Sequence, residues 1–596
     1  MPIYKAPVDD TLFLLEDVLD YQRYANLPRF ADAPLDVVGQ VLTEGGKFAE
    51  QVLLPLNASG DQEGCTRNAD GSVTAPLGFK EAYKAYVEGG WVGVSGEPDF
   101  GGQGLPYFLG AAVSEYWLSA NLAFSMYPGL TNGAAAALNA HGSDALKAKY
   151  LPKMTSGEWT GTMNLTEPHC GTDLGMLRSR ATRGADGAFS ITGTKIFISA
   201  GEHDLAENII HLVLARIEGA PAGVKGISLF LVPRNFVGED GSVGARNGVV
   251  CGSLEHKMGI HANATAVLNY DGAKGWLIGE ENRGLAAMFV MMNAARLGVA
   301  IQGLAQSEIA YQNAAIYAKE RIQGRSLTGA KSPDKPADRI IVHPDVRRML
   351  LEARAFNEAA RALFLSAALA QDEANSSPDE KTRIAADDRL GLLTPVMKGV
   401  FTDYGFANAV KSQQVLGGHG YIVQQGMEQY VRDARIAMIY EGANGVQALD
   451  LVGRKLPKDG GRAVIAFFAE VGGFLSANKE DAALAPYLAP VKGALGQLQQ
   501  ATMWFMQNGM KNPNNAGAGS YDYMHLFGLT TLSYMWARIV KAVQARQAAG
   551  TSNPALDAKL TLAKFFNARI LPETGAHLAR IVSGAESLME LPEAAF

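Results

Sequence analysis

The sequence predicts an α+β fold that is mainly α, with one β-rich domain between two helical regions. Apolar residues recur at helical spacing from Leu35 to Ser156, and again from Asn282 to the end of the chain. Between them, from Trp159 to Ile278, β-branched and aromatic runs alternate with Gly, Asn and Asp turns. A chain of 596 residues is too long for one core, so several domains are expected.

The composition shifts place the domain boundaries. We expect five segments: an N-terminal extension at 1–35, an N-terminal helical domain at 36–158, a central β-domain at 159–281, a helical-bundle domain at 282–456 and a C-terminal helical extension at 457–596. The C-terminal extension shows no catalytic motif. We expect breaks in its helices at Gly472–Gly473, 512–519 and 550–554.

Charge and composition exclude several classes of protein. The net charge of -7 and pI near 5.9 argue against a nucleic-acid or anionic-membrane surface. The apolar stretch Leu285–Leu304 contains Asn293 and Arg296, so a buried helix is expected rather than a membrane span. Asp9 and Asp10 fall where a secretion signal would be apolar. We therefore expect a soluble, cytoplasmic protein.

Cysteine and histidine spacing argues against a metal or disulfide site. No cysteine pair has CxxC spacing, and the histidines form no HxxH or HExxH pattern. The three cysteines are Cys65, Cys170 and Cys251. We expect no metal.

The stretch 436–456 contains the strongest catalytic candidate, Glu441. An apolar run ending in Tyr440 precedes this carboxylate, and three helix-breaking residues follow it, Gly442, Asn444 and Gly445. This pattern predicts a carboxylate on a tight turn between two helices. Apolar surroundings would raise its pKa and make it a good proton acceptor for a weak carbon acid. The alternative is that Glu441 only stabilises the N-terminus of the following helix.

Three other stretches and one arginine are candidates for ligand contacts. NLTEPHCGTD, from 164, ends in a Gly171-Thr172 turn that could hold a phosphate, although most such turns are only turns. TGTKIFISAG, from 192, presents Phe197 and Ser199 on one side, which suits a flat ring but also a core strand. Consecutive glycines in QVLGGHGY, from 414, permit close backbone approach or simply stop a helix. Arg296 on an apolar helix face needs an anion, either an internal carboxylate or a ligand.

Taken in this order, these stretches resemble the acyl-CoA dehydrogenase family. LTEPHCGTD is similar to the family's first signature, QVLGGHGY with RDARIAMIYEG to its second, and LEHKMGIHANATAVLNY to the segment between them. The resemblance covers about residues 36 to 456. It implies a helical domain, a β-barrel-like domain and a four-helix bundle, with FAD held between the last two and across a subunit interface.

The resemblance also implies roles for single residues. Glu441 matches the catalytic base. Thr172, Arg296 and Tyr440 would contact the substrate. The residues that would bind FAD are Met163, Leu165, Thr166, Gly171, Thr172, Phe197, Ser199, Arg321, Gln414 and Gly418. The chain departs from the family at Phe197, where an indole is usual, and at His169-Cys170, Ile322-Gln323 and Ala443-Asn444-Gly445.

The implied reaction is FAD-dependent α,β-dehydrogenation of a short acyl-CoA. Long members with both extensions include enzymes that oxidise 3-methylmercaptopropionyl-CoA to 3-methylthioacryloyl-CoA, in the catabolism of dimethylsulfoniopropionate. A homo-oligomer, expected as a dimer, would pass electrons to an electron-transfer flavoprotein. The alternatives are a general short- or medium-chain acyl-CoA dehydrogenase, an acyl-CoA oxidase, or a non-catalytic flavin-containing stress protein associated with nucleic acid. The acidic charge and Glu441 disfavour the last of these.

Overall fold

The structure is a computed structural model that describes residues 2–596, and most of these are helical. The helices are α1 Val8–Phe13, α2 Leu35–Phe48, α3 Pro55–Glu63, α4 Phe79–Glu88, α5 Tyr107–Ala120, α6 Leu122–His141, α7 Asp144–Ser156, α8 Gly284–Glu320, α9 Pro344–Ser376, α10 Glu380–Val415, α11 Met427–Ile436, α12 Asn444–Asp450, α13 Arg462–Ala477, α14 Ala485–Asn508, α15 Pro513–Ala548, α16 Pro554–Arg569, α17 Glu573–Val582 and α18 Glu586–Met589.

Most strands lie between α7 and α8. The strands are β1 Thr66–Arg67, β2 Val73–Thr74, β3 Trp159–Asn164, β4 Arg180–Arg183, β5 Phe189–Ser199, β6 Asn208–Ile217, β7 Ile227–Pro233, β8 Asn235–Val237, β9 Val243–Arg246, β10 Val249–Leu254 and β11 Thr265–Ile278. This order of helices, strands and helices confirms the α+β, mainly α fold that the sequence predicts.

The chain forms two compact units, residues 45–298 and residues 1–44 with 299–596. The first unit contains a barrel. Strand β11 pairs with both β5 and β7, and the circuit closes through β4 and β6. Residues alternate along β6, so that Val213 and Ala215 face the barrel core while Leu212 and Leu214 face outward. The outward residues pack with α6, α7 and the first turns of α8, up to Met292.

The second unit is helical and contains the C-terminal extension. Helices α9 and α10 pack along each other, and α15 packs on both and on α14, α16 and α17. The α15 residues from Tyr523 to Val543 are mostly buried. The indole of Trp536 on α15 donates a hydrogen bond to the Ala355 carbonyl on α9, over 3.0 Å. The extension therefore shares its core with the bundle helices.

Two helical stretches of the described chain, Gly284–Glu320 and Lys458–Ala477, are long and apolar enough to span a membrane by length and composition alone. Half of the apolar window of the first is buried, as in the core helix of a globular protein, but only 17% of the second. The predicted break at Gly472–Gly473 is wrong, because α13 continues through both glycines to Ala477.

Candidate active site

Glu441 lies on a tight turn between two helices, as the sequence predicted. Helix α11 ends at Ile436 and α12 begins at Asn444. Glu441 has a φ of 56° and Gly442 a φ of 86°, so two successive residues adopt the left-handed region. That conformation is strained for a glutamate, and such outliers are concentrated at functional sites.

Two hydrogen-bond systems hold this turn. The backbone N–H of Asn444 donates to the Met438 carbonyl at 3.1 Å and closes the loop. The buried side chain of Gln447 donates to the carbonyls of Glu441 and Gly442 at 3.3 and 3.2 Å. The turn is thus fixed by α12, while the Glu441 side chain remains partly exposed.

The alternative role for Glu441, stabilisation of the next helix, does not fit the geometry. The residue that caps α12 is Ala443, and the first turn of α12 contains no acidic residue. Glu441 lies before the cap. Because the helix dipole acts within the first turn, the position of Glu441 gives little stabilisation to α12.

Tyr440 closes the turn against α8. Its hydroxyl donates a short hydrogen bond to the side-chain oxygen of Gln302, which is itself buried. Burial, together with the nearby charge of Glu441, raises the pKa of Tyr440 well above its ordinary value. The phenol therefore stays neutral next to the Glu441 carboxylate.

In the unit formed by residues 45–298, the candidate flavin loop follows β3. Met163 and Leu165 are half-buried and pack on the outer core of the barrel. The Thr166 carbonyl accepts a hydrogen bond from the Ile196 N–H of β5 at 2.9 Å. Gly171 and Thr172 are exposed beyond this anchor.

A buried ion pair fixes the base of that loop. The Glu167 carboxylate accepts hydrogen bonds from Lys195 Nζ at 2.8 Å and from Ser179 Oγ at 2.6 Å. Burial opposes the charged form, but the Lys195 ammonium lowers the pKa of Glu167 below its ordinary value. Burial in turn lowers the pKa of Lys195 to about 8. The start of the loop is thus bound to β5 by two contacts, the backbone bond of Thr166 to Ile196 and the ion pair of Glu167 with Lys195.

Phe197 is held in an unusual conformation near the end of β5. Its φ is 59° and its ring is 60% exposed. The pairing of β5 with β11 shifts register between Ala266 and Leu268, opposite this position. The strand therefore bulges at Phe197, and Ser199, paired with Thr265, follows in regular register.

These residues fit a bound flavin. An apolar ring that is exposed and held by a strained backbone offers a face on which a flat heteroaromatic ring can stack. The exposed Gly171-Thr172 segment offers backbone N–H groups and a hydroxyl for a pyrophosphate. The candidate residues lie on β3, in the loop that follows it and on β5; they are Met163, Leu165, Thr166, Gly171, Thr172, Phe197 and Ser199. The structure brings the loop and β5 together through the Thr166 and Glu167 contacts.

The other sequence candidates lie on or near α8 and α10. Arg296 is buried on α8. Arg321 is exposed directly after α8, and Gln414 is exposed on the last turn of α10. Gly418 lies in the exposed turn that follows α10. The Tyr317 hydroxyl and His419 Nδ1 are 3.2 Å apart, which brings the end of α8 beside the turn that contains Gly418.

The sequence did not reveal the residues that support the Glu441 turn. Gln302 and Gln447 hold the tyrosine and the turn, yet each looks like an ordinary helix residue in the sequence. Asn444 was recognised only as a helix-breaking residue, and its bond to Met438 was not foreseen. A possible signal was the polarity of Gln447 at a helix position next to the apolar Ala448, where burial could be expected.

The family comparisons cover nearly the whole chain. Residues 44–158 match the acyl-CoA dehydrogenase N-terminal domain, 162–273 the middle domain and 282–456 the C-terminal domain of that family. Residues 467–592 match a domain described as acetyl-CoA dehydrogenase C-terminal like. The four matches follow one another along the chain without overlap.

Full-length relatives and a solved structure agree with these matches. The chain is 42% identical to 3-methylmercaptopropionyl-CoA dehydrogenase of Ruegeria pomeroyi, over 98% of this chain and 99% of that protein. It is 35% identical to broad-specificity linear acyl-CoA dehydrogenase FadE5 of Mycobacterium tuberculosis, over the full length of both. The acyl-CoA dehydrogenase of Bacillus anthracis, solved with FAD, shares the fold with a TM-score of 0.76 at 19% identity, over 100% of this chain and 92% of that one.

The family models matched along nearly the whole chain define the class of protein, a flavoenzyme that oxidises acyl-CoA thioesters. With the full-length relatives, the assignment becomes narrower. The chain belongs to the acyl-CoA dehydrogenase family, and it is an FAD-dependent oxidoreductase that acts on acyl-CoA.

Proposed function

We propose that this enzyme dehydrogenates a short, sulfur-containing acyl-CoA, 3-methylmercaptopropionyl-CoA, to 3-methylthioacryloyl-CoA. The observation that carries the proposal is the carboxylate of Glu441 on its strained turn, in a chain 42% identical to a relative of that name along its full length. The N-terminal and C-terminal extensions are included in that similarity.

Glu441 is the base of the proposed reaction. The α-hydrogen of a thioester is a weak acid, so the acceptor must be positioned before the reaction and shielded from water. The left-handed turn positions the carboxylate, and the neutral Tyr440 beside it limits solvation. The backbone N–H of Glu441 donates to the thioester oxygen and stabilises the charge that develops there.

The residues that bind FAD place it beside the β-carbon of the substrate. When bound, FAD supplies the acceptor for the β-hydride. Phe197 and Ser199 hold the flavin ring, and Gly171 and Thr172 hold its pyrophosphate. Thr172 and Arg296 orient the acyl-CoA. Loss of the α-hydrogen as a proton to Glu441 and of the β-hydrogen with its electron pair leaves a double bond between the two carbons, so the product is a 2-enoyl-CoA.

The proposed assembly is a cytoplasmic homodimer that passes electrons to an electron-transfer flavoprotein. Tyr421, Ile422 and Val423 form an exposed apolar run next to the exposed Gln414 and Gly418. Contiguous exposed apolar residues are typical of an interface between subunits. In this proposal Arg321, Gln414 and Gly418 reach the FAD of the neighbouring subunit.

The test is anaerobic bleaching of the bound flavin by a panel of acyl-CoAs. Wild-type enzyme is mixed with 3-methylmercaptopropionyl-CoA, butyryl-CoA and longer linear thioesters, beside the Glu441→Gln variant. We expect fast bleaching by the sulfur-containing thioester, slowed by about 10³-fold in Glu441→Gln because the variant cannot accept the α-proton. FAD content, measured by absorbance, should be equal in both proteins.

The control variant is Glu428→Gln, which removes a carboxylate that pairs with Arg432 within α11. It should bleach at the wild-type rate. Equal bleaching rates for wild type and Glu441→Gln would refute the assignment of Glu441 as the base. Peroxide formation at the rate of turnover in air would identify an acyl-CoA oxidase.

A broader substrate range is the second candidate. It is favoured by the 35% identity to a broad-specificity linear acyl-CoA dehydrogenase over the full length of both chains. In that case kcat/KM would be similar for butyryl-CoA, longer linear thioesters and 3-methylmercaptopropionyl-CoA. A preference of about tenfold or more for the sulfur compound favours the first proposal.

A further inference from the structure

A polar cluster joins the C-terminal extension to the turn that carries Glu441. Its members are Asp403 on α10, Asn444 at the start of α12, and Tyr521 and His525 on α15. The Asn444 side-chain nitrogen donates to Asp403 Oδ1 at 2.7 Å. The Tyr521 hydroxyl donates to Asp403 Oδ2 at 2.5 Å, and His525 Nε2 lies 2.8 Å from the same oxygen. Asp403 therefore connects α15 to α12.

Asn444 is fully engaged in this cluster. It is 5% exposed, and its side-chain oxygen accepts a hydrogen bond from Lys398 Nζ at 2.8 Å. Its side-chain nitrogen also donates to Thr402 Oγ1 at 2.9 Å. Lys398 and Thr402 are completely buried. A buried amide with partners on both atoms has one orientation, so these contacts fix the first residue of α12.

The first residue of α12 also determines where Glu441 lies. Asn444 closes the loop through its backbone bond to Met438, and Glu441 and Gly442 between them have left-handed φ values. A shift of Asn444 would therefore be transmitted to the strained residues. In catalysis, small displacements of a base cost much of its efficiency.

The α15 contacts orient Asp403. A carboxylate with only one oxygen engaged can rotate, whereas hydrogen bonds on both oxygens fix its plane. Tyr521 and His525 engage the second oxygen, and their rings lie 4.7 Å apart between centroids. The His525 ring also stacks on His577 of α17 at 5.5 Å. The orienting side chains are thus themselves held by the extension.

We propose that the C-terminal extension positions the catalytic base, with Tyr521 and His525 orienting Asp403, and Asp403 orienting Asn444 and the Glu441 turn. The inference rests on the proposed role of Glu441. Tyr521, His525, Asp403 and Asn444 are positioning residues. The extension is then part of the catalytic apparatus as well as of the core.

The test compares Tyr521→Phe and Asp403→Asn with Tyr534→Phe. Tyr534 lies on the same helix and its hydroxyl also bonds a carboxylate, that of Glu470, away from Asp403. The first readout is exchange of the α-hydrogen of a substrate analogue with solvent deuterium, measured by mass spectrometry. In this analogue, an acyl-CoA, a sulfur atom replaces the β-carbon. That compound can lose its α-proton but has no β-hydride.

We expect α-hydrogen exchange to slow about threefold in Tyr521→Phe, which loses one hydrogen bond, and about tenfold in Asp403→Asn, which loses charge-assisted bonds. Thioester affinity should stay within about twofold of wild type, since a positioning defect changes the proton-transfer step. The second readout is amide hydrogen exchange of the free protein. Peptides covering 438–447 should exchange faster in both variants and be unchanged in Tyr534→Phe.

The outcomes separate the two proposals. If Glu441→Gln retains α-hydrogen exchange, the assignment of the base is wrong. If Glu441→Gln abolishes it while Tyr521→Phe and Asp403→Asn match Tyr534→Phe in both readouts, the positioning role is wrong. If Asp403→Asn does not fold, Tyr521→Phe decides, because Tyr521 is 43% exposed and the change removes one hydroxyl.

Discussion

At the scale of single residues, Gly442 makes the turn that carries Glu441 possible. Its φ is 86°, and a Cβ there would lie 2.4 Å from the Gln447 side-chain nitrogen. Gly442→Ala would therefore strain the backbone and displace the side chain that binds the Glu441 carbonyl. We expect turnover to fall by about tenfold or more and the free energy of unfolding by about 1–3 kcal/mol. Flavin bleaching kinetics and thermal unfolding measure the two effects.

Gly445 provides the matched control. It lies on α12, has no heavy atom within 4 Å of the position that a Cβ would occupy, and has an ordinary helical φ. Gly445→Ala should leave turnover unchanged and raise stability by up to about 1 kcal/mol. A loss of turnover as large as that of Gly442→Ala would show that the region tolerates no added methyl group. The effect of Gly442→Ala could then no longer be attributed to the left-handed φ of Gly442.

The position of Glu441 on a tight turn between two helices was predictable from the sequence, whereas the residues that support this turn were not. Glu441 stands out because an apolar run and three helix-breaking residues enclose it. Its contact with Gln447 is local, whereas the cluster on Asn444 depends on partners from α10 and α15, about 40 and 80 positions away along the chain. Helical periodicity identifies a buried face, but it does not identify the side chain on the opposite helix.

At the scale of elements, α8 and α10 cross in backbone contact. A Cβ on Gly303 would lie 2.2 Å from the Phe401 carbonyl oxygen, and one on Gly405 would lie 2.3 Å from the Gly303 carbonyl oxygen. Gly405→Ala would force the helices apart and cost about 1–3 kcal/mol of stability. Because Asp403 lies one half-turn before Gly405, turnover should fall as well. Thermal unfolding and flavin bleaching test both.

Gly391 is the control on the same helix. The nearest atom to its Cβ would be Lys455 Nζ at 3.9 Å, so Gly391→Ala meets no clash. It should stabilise α10 by up to about 1 kcal/mol. If both alanine variants unfold at the same temperature as wild type, the helices separate without cost and the close crossing does not limit stability.

Element prediction from the sequence was wrong at paired glycines. Gly472–Gly473 looks like a helix break, yet α13 passes through it, because Val464, Phe467 and Val471 bury one face of the helix. Each glycine in a helix costs about 1 kcal/mol relative to alanine, and burial of three large side chains offsets that cost. Propensity is local information, whereas the packing that overrides it comes from other helices.

At the scale of the whole chain, the N-terminal extension is tied to the C-terminal one by a buried ion cluster. Asp10 on α1 accepts a short hydrogen bond from Lys559 on α16 and one of 2.7 Å from Arg361 on α9. Lys559 also donates to Glu358 at 2.7 Å. Residues separated by most of the sequence therefore meet on one bundle helix, a connection that periodicity in the sequence did not indicate.

This cluster makes the chain's stability depend on pH. Burial opposes the charge on Asp10, but Lys559 and Arg361 lower its pKa from 3.8 to about 2. A lowered carboxylate pKa stabilises the fold above the unfolded value and loses this effect as pH falls toward the folded value. Asp10→Asn should cost about 2 kcal/mol at pH 7, and the difference from wild type should shrink by about 1 kcal/mol between pH 5 and pH 3.

The measurement is amide hydrogen exchange of peptides from α1 and α16, corrected for the effect of pH on intrinsic exchange. Local opening of these helices reports the strength of the ion cluster, and it does not require two-state unfolding of a chain with several domains. Asp9→Asn changes the adjacent exposed carboxylate on the same helix and should match wild type at every pH. A pH-independent difference between Asp10→Asn and wild type would mean that Asp10 contributes packing and hydrogen bonds rather than its charge. Loss of protection in α1 alone would show that α16 is held by the core of α15 without the N-terminal extension.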